Sequence, residues 1–450
     1  MSVRFGTDGV RGVANSEITA EVALAIGRAT AQVFPSDRVI IGRDTRRSGP
    51  MLEAAVAAGV ASEGADAVVL GVVPTPAVAV VSARDRVPGV VISASHNSFQ
   101  ENGIKVFAPG GLKLSDAEQG RVEAAIAAAL RGTPPGISGE SVGTLVTDPT
   151  AAGAYEAVLR SSLEGRDLAG VAVVVDCAHG ANSVIAPQVL RSLGARITVL
   201  NAAPDGTNIN RDCGSTYPGA LQRAVVDVGA DIGIAFDGDA DRLVAIDHTG
   251  RVVDGDEIIA LCALDMSARG LLANDTVVVT VMSNLGFHRA MAAAGITVEQ
   301  TPVGDRNVLA ALAAGHHSLG GEQSGHIVFA ERATTGDGLL AAILLIDLVI
   351  RSGQPLSELA GAAMTRLPQV LINVRVGQPM PDVGERIAAQ IASVRSELGD
   401  DGRVLVRPSG TEPVVRVMVE ALEVGRAESA AAELATAVES AAAVESPPDL

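Results

Sequence analysis

In VAVVVDCAHGANSVIAPQVLRSLGARITVL, residues 171–200, two short β-branched runs flank an amphipathic stretch. VAVVVD (Val171 to Asp176) and ITVL (Ile197 to Leu200) are too short and too rich in Val and Ile for helices and read as buried strands. The segment between them predicts a helix around Ala186 to Leu193. Strand, helix, strand in this order is a βαβ unit, whose strands run parallel. DIGIAF (Asp231 to Phe236) adds a third strand downstream. The same alternation appears on both sides. Upstream are VIIG (Val39 to Gly42), a helix near Pro50 to Ala61, AVVLG (Ala67 to Gly71) and VVIS (Val90 to Ser93). Downstream are TVVVTVM (Thr276 to Met282), a helix near Phe287 to Ala294, HSLGG (His317 to Gly321) and a long helix after Gly338. From Pro368 the pattern changes to QVLINVRV, an amphipathic helix, RVLVRPSGTEP and VVRVMVE, a smaller α+β module. The chain therefore divides into three related mixed-sheet α/β domains, at 1–148, 149–249 and 250–367, plus a C-terminal domain at 368–450. Length alone, 450 residues, supports about three domains.

Composition narrows the function. Lys+Arg 34 against Asp+Glu 52 leaves a net charge of -18, whose field repels nucleic acid and anionic membranes, although a local basic pocket remains allowed. Aromatics are only 2% and Trp is absent, so stacking platforms for bases or sugars are scarce. Charged residues at 19% and a positive mean hydropathy argue against disorder. Cys177, Cys213 and Cys262 are too few for a disulfide framework or a four-ligand zinc site and read as small packed residues. The longest apolar run, Leu339 to Ile350, contains Asp347 and is too short to span a bilayer. These features, with no apolar run at MSVRFGTDG, predict a cytoplasmic protein.

The sharpest local motif is FDGDADR (Phe236 to Arg242), which sets Asp237, Asp239 and Asp241 at alternate positions just after a strand. Three carboxylates gathered around one point repel one another unless a hard cation joins them, so a divalent metal, Mg²⁺ by preference, is the expected partner. An EF-hand fails because Arg242 and His248 stand where Gly and Glu are required. An aspartyl-phosphate enzyme, which also places two Asp two apart after a strand, survives as a rival. ISASHNSFQENGIK (Ile92 to Lys105) offers Ser93, Ser95, His96, Asn97 and Lys105 in a loop, a serine hydroxyl beside basic groups being a candidate nucleophile or phosphate carrier. RPSGTEPVVRV (Arg407 to Val417) combines Arg407, Ser409, Gly410, Thr411 and Arg416. Two guanidinium forks, two hydroxyls and a Gly-exposed N–H make the parts of a phosphate cradle. In the strand after that loop Val415, Val417 and Val419 face one way and Arg416 the other.

GGEQSGH (Gly320 to His326) places Glu322 and Ser324 where they could bond neighbouring sugar hydroxyls. TTGDGLLA matches a dinucleotide fingerprint superficially at Gly336, Gly338 and Ala341, but no strand leads into it, so it reads as a helix start. RFGTDGVRG (Arg4 to Gly12) supplies Arg11 in a Gly-rich loop. His179, His288, His316 and His317 show no mutual metal spacing, and no GxSxG elbow or Walker A sequence occurs.

Taken in order, GTDGVRG, GRDTRRSG, ISASHN, FDGDADR, GGEQSGH and RPSGTEP span nearly the whole chain and resemble the α-D-phosphohexomutase superfamily. NIN followed by CGST, and Gln323 within EQSG, are similar to its amino-sugar branch. The resemblance implies four domains around a central cleft, the last of the TATA-binding-protein-like type. It implies that Ser95 becomes a phosphoserine and that Ser95, Asp237, Asp239 and Asp241 hold Mg²⁺. Arg407, Ser409, Gly410, Thr411 and Arg416 would cradle the non-reacting phosphate, and Glu322 and Ser324 the sugar hydroxyls. His96, Lys105 and Arg11 would handle protons and charge around Ser95, with Arg242 beside the metal and the substrate. The implied reaction is reversible conversion of glucosamine 6-phosphate to glucosamine 1-phosphate through a 1,6-bisphosphate, feeding nucleotide-sugar synthesis. The implied partner is a small phosphosugar, with no nucleic acid and no membrane, and a homodimer is allowed. Glucose and mannose phosphates are alternative substrates. An aspartyl-phosphate phosphatase acting through Asp237 and a non-catalytic sugar-phosphate sensor are alternative functions. Ser98, Tyr217 and Pro302 depart from the family pattern, where Pro, His and Lys are common, and bear on loop rigidity and the shape of the sugar site.

Overall fold

The computed structural model describes residues 5–443 apart from residue 7, 133–136, 149, 151 and 410–412. It forms two compact units. One holds the chain through Met282 together with Ala294–Ala363, and the other holds Ser283–Ala293 and the chain from Met364 onward.

The first unit contains three mixed sheets built to one plan. In the first, Arg38–Arg43 lies parallel between Asp66–Val72 and Gly89–Ile92, and Gly89–Ile92 pairs antiparallel with Glu101–Ala108. In the second, Ala172–Asp176 lies parallel between Arg196–Leu200 and Ile232–Phe236, and Ile232–Phe236 pairs antiparallel with Leu243–Asp247. In the third, Thr276–Thr280 lies parallel between Thr297–Thr301 and Leu319–Gly321, and Leu319–Gly321 pairs antiparallel with Ile327–Phe329. Each sheet thus ends its parallel run in one hairpin. The three hairpin loops carry Ser95, the three Asp, and Glu322 with Ser324.

Burial explains why these segments are strands. Gly89–Ile92, Ile232–Phe236 and Thr276–Thr280 are buried at every residue, as continuous Val/Ile runs must be in sheets covered on both faces. The core is accordingly aliphatic: Ile26, Ile41, Leu52, Val56, Val60, Val90 and Ile92 pack together around the first sheet. Two expectations need adjustment. The helix predicted around Ala186 runs over Asn182–Ser192 with Pro187 inside it. Lys105 lies on the strand Glu101–Ala108 instead of in a loop, because ENGIKVFA is nearly wholly buried and so lacks the alternation that marks a half-exposed strand.

The apolar run at Leu339 belongs to the helix Gly338–Ser352, mostly buried in this unit. Its Asp347 pairs with Arg166 at 2.8 Å and with Arg351 at 2.9 Å. No single helix among the described residues is long and apolar enough to cross a membrane. Asp337 starts this helix, accepting from the N–H groups of Leu339 and Leu340 and from the Tyr155 hydroxyl. TTGDG therefore acts as a helix cap, as its context predicts. Cys177, Cys213 and Cys262 are free and buried, and burial raises all three thiols well above their ordinary value.

In the second unit Val414–Ala421 lies antiparallel between Gln369–Arg375 and Gly402–Pro408, with Ala388–Leu398 and Val424–Ala443 supplying helical cover. Val415, Val417 and Val419 are fully buried on one face, as the alternation predicts. The helix Leu285–Ala293 joins this unit through buried Glu420, which accepts from Asn284, Leu285 N and Arg403. On that helix burial, reinforced by Arg403, lowers His288 to about 4. The ordinary value is about 6.5, so between these limits the unfolded chain binds a proton that the folded chain refuses. The stability that neutral His288 confers is full above that range and is lost as pH falls through it. His288→Gln should therefore lose less thermal stability between about pH 7 and pH 5 than the native chain, read from melting temperatures at both pH values. An equal loss would remove His288 from the acid response.

Candidate active site

Ser95 lies in the first hairpin loop in a left-handed backbone conformation, φ 53°, which is costly for a residue with a Cβ. Its Oγ donates to Asp237 Oδ2 at 2.6 Å and lies 3.2 Å from His96 Nδ1. The second hairpin loop brings Asp237, Asp239 and Asp241 together, all buried, with one carboxylate oxygen of each lying within 4.8 Å of the others. The close approach of the two loops requires Gly238. A Cβ there would stand 2.6 Å from the Ser95 carbonyl oxygen.

Charge around the cluster is layered. Lys105 Nζ reaches Asp239 at 2.8 Å, Asp241 at 3.1 Å and Asp8 at 2.7 Å. Asp8 also pairs with Arg11 at 2.6 Å and with Lys113, which reaches Asp305 at 3.0 Å. Burial opposes the charge on Lys105, but the three carboxylates outweigh it and hold its pKa well above the usual range. Asp241 is held well below the usual carboxylate range by Lys105 despite burial. Asp237 is pushed well above it by burial and by repulsion from Asp241 and Asp239. His96 falls to about 4 because it is buried and faces Arg242 and Arg11, so it is neutral near pH 7.

These residues fit a hard divalent cation. Asp239 Oδ1 and Asp241 Oδ1 are buried without a hydrogen-bond partner, and three buried carboxylates in one place are a donor set of the kind Mg²⁺ takes. Arg242 lies next to the cluster, its Nε 3.8 Å from Asp241 Oδ1 and its backbone N–H donating to Asp237.

The third hairpin loop places Glu322 so that its Oε1 accepts from Gly304 N at 3.2 Å, while Ser324 is exposed. This loop ends at buried His326. Its Nε2 accepts from Gly336 N, so Nδ1 bears the proton and faces Asp241 at 3.8 Å. A Cβ at Gly336 would collide with that ring at 2.5 Å, which explains the glycine.

In the second unit Arg407 and Arg416 are direct cross-strand partners, and Arg407 Nε is buried without a partner. Like charges placed opposite each other on a sheet are destabilising without an anion between them. Burial and Arg416 together lower the Arg407 pKa. Ser409 N donates to Val414 O to close the hairpin, and Gly410 and Thr411 lie outside the described residues.

The first unit thus brings together Ser95, His96, Lys105, Arg11, the three Asp and Arg242, and the second unit sets Arg407 opposite Arg416. The sequence reading missed Asp8, Thr75 and His326. Thr75 donates its hydroxyl to Asp239 at 2.6 Å from 164 positions away. None of the three stands in a spacing that marks it. Of the departures, Tyr217 and Pro302 are exposed, and the Ser98 side chain is exposed while its carbonyl accepts from Arg46.

Models of the four phosphoglucomutase/phosphomannomutase domains match the chain in order, the alpha/beta/alpha domains I, II and III at residues 2–131, 155–250 and 254–367 and the C-terminal domain at 371–437. The chain belongs to the phosphoglucomutase/phosphomannomutase family. It is 53% identical to a phosphoglucosamine mutase of Frankia alni, an alignment covering 98% of this chain and 99% of the relative. A phosphoglucomutase/phosphomannomutase family protein from Burkholderia thailandensis has the same fold, with TM-score 0.80 at 24% identity, over 98% of both chains. The fold is shared as well by an Aspergillus fumigatus N-acetylphosphoglucosamine mutase in complex with GlcNAc-6P and magnesium, TM-score 0.69 at 20% identity, over 98% of this chain and 96% of that one.

Proposed function

We infer that the chain interconverts glucosamine 6-phosphate and glucosamine 1-phosphate, carrying a phosphoryl group on Ser95. The observation that carries the mechanism is Ser95 Oγ bonded at 2.6 Å to one of three clustered carboxylates. The likeness to phosphoglucosamine mutases over nearly the whole chain supports the amino sugar.

Asp237, Asp239, Asp241 and the Ser95 oxygen would hold Mg²⁺, which when bound supplies positive charge to the phosphoryl oxygens. In the forward direction the bond from Ser95 Oγ to phosphorus breaks as a bond from the sugar's 1-hydroxyl oxygen forms, and the proton that the hydroxyl loses is balanced by one that Ser95 Oγ gains. His96, neutral and 3.2 Å from Oγ, is suited to take the Ser95 hydroxyl proton in the return step, when Oγ attacks the 6-phosphoryl group. Lys105, tied to three carboxylates, serves as fixed charge instead, with Arg11 and Arg242. The resulting 1,6-bisphosphate turns round and returns its 6-phosphoryl group to Ser95, leaving the 1-phosphate. A cycle that presents either end of one sugar needs a second phosphate site, and the facing Arg407 and Arg416 are suited to it. Glu322 and Ser324 would bond the sugar hydroxyls.

A coupled assay with Mg²⁺ on the 6-phosphates of glucosamine, glucose and mannose tests the reading. The expected result is a kcat/KM for glucosamine 6-phosphate at least about tenfold above the others, since a site built to bond a particular polar group rejects analogues lacking it. Equal or better use of the glucose or mannose compound would move the chain to another branch of the family.

A further inference from the structure

The motif GRDTRRSG, residues 42–49, takes no part in the chemistry above, yet it holds Arg46, a fully buried arginine. A guanidinium has five N–H donors, and here each finds an acceptor. Nε donates to Asp44 Oδ2 at 2.8 Å. Nη1 donates to the carbonyl oxygens of Ser98 and Glu101, the latter at 3.0 Å, and Nη2 to those of Ser95 at 3.0 Å and Asn97 at 2.8 Å. Four of the five bonds therefore end on backbone carbonyls, three in the loop that carries Ser95 and one on the first residue of the strand that follows it. Asp44 closes the circuit, because it accepts from Ser93 Oγ at 2.6 Å and Ser93 Oγ in turn accepts from Ser95 N at 2.9 Å. From the second sheet, Asn210 Nδ2 donates to two of the same carbonyls, Ser95 at 2.9 Å and Asn97 at 3.0 Å.

We propose that Arg46, oriented by Asp44 and assisted by Asn210, is a positioning residue that fixes the phosphoryl-carrying serine in its left-handed conformation. The proposal rests on the reading of Ser95 as that carrier. One serine must face two different hydroxyls in turn, and an error of about 1 Å in a reacting group can cost about 10²-fold in rate. The Ser95 backbone cannot be held by a sheet ladder at φ 53°. Arg46 supplies the missing bonds from below, leaving Oγ directed at Asp237. Charge alone does not explain the residue. Asp44 would be balanced equally by a lysine, but an ammonium has three donors and no planar fork, so it cannot serve four carbonyls and a carboxylate together.

Arg46→Lys, which keeps the charge beside Asp44, should lower kcat about 10²-fold per folded molecule while KM for glucosamine 6-phosphate stays within about twofold. Amide hydrogen exchange over residues 95–101 should quicken in the same variant. Asn210→Ala should act in the same direction but less strongly, and it carries the test if Arg46→Lys does not fold. An unchanged kcat per folded molecule, or a rate loss that appears in KM, would reduce Arg46 to a structural residue and overturn the proposal. Unchanged exchange in the loop would overturn it whatever the kinetics. Failure of the unaltered chain to convert any hexose phosphate would instead defeat the reading of Ser95, and the exchange measurement would still decide whether the brace exists.

Discussion

Ser95→Ala is expected to lower the mutase kcat by about 10³-fold or more while leaving binding of glucosamine 6-phosphate intact. The substitution keeps the Cβ and asks nothing new of the backbone at φ 53°, so the loop braced by Arg46 and Asn210 should hold its course. What disappears is the atom proposed to carry the phosphoryl group. Asp237 Oδ2 also loses its 2.6 Å donor, and a buried acceptor left alone costs about 1–3 kcal/mol, so the melting temperature should fall modestly. Binding should survive because Glu322 and Ser324, the proposed partners of the sugar hydroxyls, are untouched. Turnover of the purified variant and calorimetric binding of the substrate give the two readings separately. Activity within tenfold of the native chain would take Ser95 out of the chemistry. Native-like binding with no mutase activity in either protein would favour a sugar-phosphate sensor.

Asp237→Asn should show opposite effects with and without magnesium. In the metal-free protein Asp237 is buried beside Asp241 and Asp239, and its raised pKa expresses that crowding. Removing its charge relieves repulsion while an amide can still occupy the space, so the metal-free variant should melt no lower than the native chain. With magnesium present the order reverses. A cation that binds only the folded chain stabilises it by about 2.7 kcal/mol at a hundred times its Kd. The native protein should gain that increment, and the variant, with one of three carboxylates gone, should gain little. Its kcat should fall by about 10²-fold or more, the scale for loss of one group that stabilises transition-state charge. Thermal melts with EDTA and with magnesium read the first effect and the coupled assay the second. Equal stabilisation of both proteins by magnesium would show that the cluster does not hold the ion.

Much of the fold is legible in the chain because its strands are short, β-branched and separated by helices of ordinary length. TVVVT and IGIAF can only be buried strands, and both are. The metal loop is legible for a local reason: Asp237, Asp239 and Asp241 lie within five consecutive residues and carry their meaning in their spacing. Asp8 meets Lys105 only once the first sheet pairs Val10–Val13 with Glu101–Ala108, and Thr75 meets Asp239 and His326 meets Asp241 only once different sheets come together. No one-dimensional pattern records those meetings. Arg46 is the sharpest case, because in the sequence it is one of three arginines in GRDTRRSG and only the fold distinguishes it. Arg43 pairs with Glu53 at 3.1 Å, and Arg46 turns inward beneath the serine loop. The strand that carries Lys105 is hidden in the sequence for a related reason, since a strand buried on both faces shows no alternation to read.

Between turnovers the phosphoryl group is expected to reside on Ser95. Incubation of the native protein with glucosamine 1,6-bisphosphate and Mg²⁺, followed by digestion and peptide mass spectrometry, locates it. The predicted result is phosphate on Ser95 in the peptide spanning residues 87–105, removed when glucosamine 6-phosphate is added and absent in Ser95→Ala. Phosphate trapped on Asp237, or turnover with no phosphate on Ser95, would contradict it.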